Sequence, residues 1–194
     1  MYNSIKIAAV SVCAVIVLTG SSTLSEASSP KLSGELLSVG QMPVGWSVDN
    51  SSSGSGIGCL SNLLEPKGLK QIAHASVAFD DNGGTPLVDE KIAAYSNSKT
   101  AYKRIVATLM SCKHVSGSSG GVKASGTVGQ MNFTNYGDAS TAFSVNLQIQ
   151  GTTLDGDLLI IRKGAILMGI EQVDYPPIDI NQFQSFIVKA LHRI

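Results

Sequence analysis

TAFSVNLQIQGTTLDGDLLIIRKGAILMGIEQV, residues 141–173, reads as three antiparallel strands in succession. In its first part Phe143, Val145, Leu147 and Ile149 alternate with Ser144, Asn146, Gln148 and Gln150. A period of two marks a strand with two unlike faces. A two-residue turn at Gly151-Thr152 sets Phe143 opposite Ile160, Val145 opposite Leu158 and Ile149 opposite Leu154. The same register puts Asn146 opposite Asp157 and Gln148 opposite Asp155. Apolar side chains then meet apolar ones, and a slip by one residue would turn every side chain to the wrong face. A second turn at Lys163-Gly164 pairs Ile160 with Leu167 and Ile161 with Ile166. Residues 158–161 and 166–168 are apolar at every position, so this sheet needs cover on both faces.

Two helices are expected to supply that cover. Ser98 reads as an N-cap for a helix over 99–113, with Ala101, Ile105, Leu109 and Cys112 at helical spacing and Tyr102, Val106 and Met110 widening the stripe. Asp179 caps a last helix over 180–193, whose buried stripe is Phe183, Ile187, Ala190 and Ile194, broadened by Phe186 and Leu191. Further strands are read at 72–79 and, one or two of them, within 121–134; residues 35–39 and 89–95 read as short helices and 59–64 as a helical turn. Residues 114–121 read as a loop. The fold class is therefore α+β: an antiparallel sheet of about five strands with a C-terminal three-stranded meander, covered by two main helices.

A chain of 194 residues has room for one domain. Lys plus Arg and Asp plus Glu number 14 each, so the net charge is zero. That balance argues against nucleic acid as a partner, because phosphate binding calls for a basic stripe. Residues 1–27 carry Lys6, an apolar run over 7–18 and then small residues, the layout of a secretory signal, with cleavage expected after Ala27. Residues 28–33 read as a tether and 34–194 as a single extracytoplasmic domain. Leu18-Thr19-Gly20-Ser21 resembles the lipobox of bacterial lipoproteins, with Ser21 where the lipidated Cys belongs, and a hydroxyl cannot form the thioether. The expected product is secreted or held in the cell envelope, touching a membrane only through an uncleaved or lipidated N-terminus. Cleavage removes Cys13 and leaves Cys59 and Cys112. Two cysteines in an exported chain most often pair, the alternative being two buried thiols.

No catalytic constellation, cofactor motif or metal site stands out. Gly117-Ser118-Ser119-Gly120-Gly121 matches a nucleophile pattern in letters, but the pattern needs a strand before the Ser and a helix after it. Asp80-Asp81-Asn82-Gly83-Gly84 lacks the spacing and closing Glu of an EF-hand. For ligand binding the residues singled out are Trp46 and the polar row Ser144, Asn146 and Gln148. A ligand would lie in a cleft beside the sheet, on an apolar lining with a few polar groups.

The order of several short motifs carries a resemblance. Leu37 to Trp46 reads Leu-x-x-x-x-Met-Pro-x-Gly-Trp; Cys59-Leu60, Ala75-Ser76-Val77-Ala78-Phe79 and Ser111-Cys112 follow. Gly137-Asp138-x-Ser140-x-Ala142, Ile161-Arg162-Lys163-Gly164 and Lys189-Ala190-Leu191 complete the series. In this the chain resembles actinobacterial exported lipoproteins related to the extracellular sensor domain of PknH-type serine/threonine kinases. The resemblance implies an antiparallel sheet with helices, a cleft, disulfide stapling and a ligand-binding or sensing role. The chain departs from it in having no kinase or spanning helix, one cysteine pair where the kinase domain has two, and no lipidation Cys. The expected function is an exported, non-enzymatic binding or sensor-like domain of the cell envelope, with a small ligand or an envelope protein as partner. The rival readings are a protein-interaction module and a serine hydrolase using Ser119 with His74 or His114.

Overall fold

A computed structural model describes residues 31–50, 57–61, 63–82, 84–119 and 122–194, with the backbone alone at Ser119 and Val122. The signal and lipobox readings lie outside these residues. Eight strands form one antiparallel sheet: β1 (Trp46–Val48), β2 (Gln71–Asp81), β3 (Leu87–Tyr95), β4 (His114–Ser119), β5 (Val122–Met131), β6 (Ala139–Ile149), β7 (Thr152–Lys163) and β8 (Ile166–Asp174). Their spatial order is β1-β2-β3-β8-β7-β6-β5-β4. The sheet is thus two meanders. The first runs β1-β2-β3. Helix α1 (Ser98–Ser111) then carries the chain across to the far edge, and β4 to β8 walk back until β8 pairs with β3. Its 14 residues span about 21 Å, roughly the distance that crossing needs.

This corrects the expected sheet of about five strands ending in a C-terminal meander under two main helices. Eight strands dominate, the helices α1 and α2 (Ile180–Leu191) are short, and β6-β7-β8 occupies the middle of the sheet. The strands missed have clear causes. Asp89-Glu90-Lys91-Ile92-Ala93-Ala94 has good helix formers, yet it pairs with β2 on one side and β8 on the other. Pairing on both sides and burial of Val88, Glu90, Ile92 and Ala94 on one face override its local preference. His114–Ser119 looks like a loop because it is rich in Ser and Gly, but it forms the β4 edge on β5.

The meander register is also shifted by two residues. Phe143 faces Leu158, Asn146 faces Asp155 and Gln148 faces Thr153; Ile161 faces Met168. The turns are therefore Gln150-Gly151 and Gly164-Ala165. Gln150 (φ 50°) and Gly151 (φ 84°) both take the left-handed conformation that a type I′ turn requires. A two-residue shift keeps each side chain on its face, which is why hydrophobic matching alone could not detect it.

Both faces of the sheet are covered, but by offset layers. On one face α1 packs Ala101, Ile105 and Leu109 on Phe143, Val145, Leu158, Ile160 and Leu167, with Leu60, Leu64 and Tyr95 at the border. On the other, Phe183, Phe186, Ile187 and Ala190 of α2 lie on Phe79, Val88, Ile92, Leu159, Ile161 and Ile170, joined by Leu32, Leu36, Leu37, Met42 and Trp46. Among the described residues the core begins at Leu32, within the segment 28–33 read as a tether. Asn97, not Ser98, caps α1: its Oδ1 accepts from the Thr100 N–H at 3.0 Å, while Ser98 Oγ donates to the Gly164 carbonyl at 2.6 Å. Asp179 caps α2 by accepting from the N–H groups of Asn181 and Gln182.

Candidate functional site

Because α2 covers the β1-to-β7 side of its face, the same face is left bare toward β4. There the odd-even alternation of β6 places Ser144, Asn146 and Gln148, all exposed, between Gly129, Thr127 and Ser125 of β5 and Asp157, Asp155 and Thr153 of β7. Each side chain of this row donates one hydrogen bond within the sheet. Asn146 Nδ2 donates to Asp155 Oδ1 at 2.7 Å, Gln148 Nε2 to Thr153 Oγ1, and Ser144 Oγ to the Gly129 carbonyl at 3.4 Å. Each amide keeps a second N–H and its carbonyl oxygen for a ligand, with the Asp155 carboxylate beside them.

The row continues inward to buried acceptors. Asp157 (6% exposed) lies opposite both Ser144 and Gln172. Its Oδ2 has no hydrogen-bond partner, nor has Oε1 of the fully buried Gln172, whose amide nitrogen donates to Gln182 Oε1 of α2 at 3.3 Å. Burial pushes the Asp157 carboxyl up, and the neighbouring Asp155 charge pushes it further. Asp174 lies opposite Asp155 on β8, so this corner is acidic as well as rich in acceptors. It can receive N–H or O–H donors from a polar ligand; it offers no nucleophile held by a base.

The structure separates Trp46 from the polar row. Trp46 sits on the β1 edge, five strand positions from β6, roughly 24 Å at ordinary strand spacing. Its ring is buried against Phe186, with centroids 5.4 Å apart. Cys59 and Cys112 form a disulfide with Cα atoms 6.2 Å apart, tying the 3₁₀ turn Gly58–Leu60 to the end of α1. Ser119 stands on edge strand β4, where its neighbour is β5 rather than a helix; its side chain, Gly120 and Gly121 lie outside the described residues. His74 is on β2, at the other end of the strand order, so it cannot reach Ser119.

Three features escaped the sequence reading. Asp155 and Asp157 entered it only as strand partners of Gln148 and Asn146, and Gln172 not at all, because nothing local shows which strand positions end up buried. On the α1 face, Asp89 lies opposite Glu171, and Lys91 bonds Asp89 at 3.0 Å. Burial, then the Asp89 charge, raises Glu171 to about 7. Between α1 and residues 58–61 and 63–67 there is also a cleft of about 720 Å³.

No protein-family model matches the chain, and no curated protein sequence matches it. Among solved structures, the extracellular domain of PknH from Mycobacterium tuberculosis is similar in fold, with a TM-score of 0.54 over 76% of this chain and 78% of that chain, at 9% sequence identity.

Proposed function

We propose that this chain is an exported, non-enzymatic, sensor-like binding domain of the cell envelope, whose ligand lies on the bare polar corner of the sheet over Ser144, Asn146 and Gln148. The observation that carries this reading is the surplus of acceptors at the corner. Asn146 and Gln148 are each fixed on β7 by one N–H, the Asp155 carboxylate stands beside them, and the unpartnered acceptors of Asp157 and Gln172 lie behind. An ordinary solvent-facing edge would account for exposed polar residues, but β6 is interior, with β5 and β4 beyond it. The fold likeness to the extracellular domain of PknH is in keeping with an extracytoplasmic place. The favoured ligand is polar and rich in N–H or O–H groups, held by hydrogen bonds rather than by an aromatic platform. Its affinity would be set by how well those donors match the fixed oxygen row.

The test is native mass spectrometry of the protein recovered from its own host, fractionated into medium and membrane. We expect a chain that begins at Ser28 and retains a small polar adduct. The double variant Asn146→Ala, Gln148→Ala should fold normally and lose that adduct. An adduct retained by the double variant would remove this corner from the site.

A further inference from the structure

We propose that the cleft between α1 and residues 58–61 and 63–67 is a second binding site, for an amphiphile with one anionic head, carboxylate or phosphate. The cleft is a different surface from the polar corner: it lies outside α1, on the opposite face of the sheet. Its walls are the stretches Gly58–Ser61 and Leu63–Lys67 and the flank of α1 from Arg104 to Leu109. Both ends are tied. At one end the Cys59–Cys112 disulfide holds the wall to the helix; at the other Arg104 Nη1 donates to the Lys67 carbonyl at 2.9 Å. A cleft fixed at both ends keeps its shape without a ligand, which lowers the ordering cost of binding. Its volume of about 720 Å³ falls in the usual range for small-molecule sites, about 300–1,000 Å³.

The lining gives the chemistry. Cys59, Leu63, Pro66 and Ala107 give the cleft its accessible apolar surface, and Ile105 and Leu109, nearly buried against the sheet, close its floor. Ser61 and Thr108 add hydroxyls to the lining, and its cations are Arg104 and Lys67. Arg104 gives one N–H to Lys67 and keeps the rest of its guanidinium for the cleft; Lys67 adds an ammonium. Among the described residues no carboxylate forms an ion pair with either, and Glu65 is the one acid in the lining. Gly68, at φ +78°, passes beneath the guanidinium, where a Cβ would stand 3.4 Å from Nη1. An apolar floor ending in two cations matches a hydrocarbon body with an anionic head, and a guanidinium can bind carboxylate or phosphate through two parallel N–H groups.

Dodecanoate, dodecyl phosphate and dodecyltrimethylammonium, each below its micelle concentration, can be titrated into the full chain by calorimetry. Both anions should bind once per chain, with the cation weaker by about tenfold or more, the scale of a lost charge-assisted hydrogen bond. The stronger of the two anions identifies the head. Arg104→Glu, at an exposed position, should weaken both anions by about tenfold. Ala107→Trp should block the cleft, and if it fails to fold, Arg104→Glu still decides. The Asn146→Ala, Gln148→Ala double variant should bind dodecanoate unchanged, so this proposal and the one for the polar corner stand or fall separately. No binding of either anion, equal binding of the cation, or an unchanged affinity in Arg104→Glu would overturn it.

Discussion

The α2 layer reaches the sheet through rings, whereas the α1 layer reaches it through aliphatic side chains and a crosslink. On the α2 side, Trp46 packs on Phe186 and Phe183 on Phe133, with centroids 5.4 and 5.8 Å apart. The N-terminal segment is clamped over them: the Leu37 N–H donates to Glu90 Oε2, Lys189 Nζ to the Gln41 carbonyl, and Arg193 Nη2 to the Gly34 carbonyl. On the α1 side the helix brings Ala101, Ile105 and Leu109 to the sheet, and its outer flank opens onto the cleft. Large rings fill the space between helix and sheet; smaller side chains leave a gap at the flank that the disulfide then holds in shape. The difference teaches where a binding cavity can persist in such a fold: beside the layer that is stapled, not beside the one that is filled.

The largest effect should come from breaking the filled side. Phe186 is 1% exposed and touches Trp46. Phe186→Ala should lower stability by about 3–5 kcal/mol, combining lost transfer energy with a cavity. Urea unfolding measures this. A loss below about 1 kcal/mol would mean that the N-terminal segment can collapse into the hole and that the ring layer is not what holds α2.

Removing the staple is next. The disulfide spans a separation of 53 residues, and on the chain-entropy model its closure stabilises the fold by about 4 kcal/mol, with measured losses usually about 2–5. The double variant Cys59→Ser, Cys112→Ser should lose stability in that range. It should also raise amide exchange in residues 57–67 and at the end of α1 while leaving α2 unchanged. Equal loosening of both layers would show that the two sides do not differ in the way described.

The legibility of the fold follows the same division. The α2 layer was readable because its information is local: Asp179 precedes a stripe of Phe183, Ile187 and Ala190, and Asp179 does cap the helix. The cysteine pairing was readable because the sequence holds three cysteines and Cys13 falls in the stretch read as a signal, leaving Cys59 and Cys112. Strands β3 and β4 were not readable, since their identity comes from partners that lie far away in sequence, β8 for one and β5 for the other. Of the site, the polar face of β6 could be seen in the alternation of Ser144, Asn146 and Gln148. The burial of Asp157 and Gln172 could not, because it depends on β7 and β8 being interior strands beside α2. Nor could the isolation of Trp46, which rests on strand order alone.

The smallest of these effects sharpens the comparison by pH. Glu90 points from β3 into the α2 layer with no exposure, and burial raises its carboxyl to about 7 despite the Leu37 N–H and the Arg193 charge, which both pull it down. In the unfolded chain the same group titrates near 4.5. Between these values the folded state holds a proton that the unfolded state has released, so stability falls as pH rises from about 4.5 to about 7 and is level above that. A gap of this width corresponds to about 3 kcal/mol at most. Glu90→Gln keeps a carbonyl for the Leu37 N–H and cannot ionise. Its stability relative to the native chain should therefore rise across that window and flatten above it. A difference that stays constant from pH 4.5 to 8 would mean that Glu90 is ionised throughout, paired with Arg193, and that the N-terminal clamp is an ion pair instead of a neutral hydrogen bond.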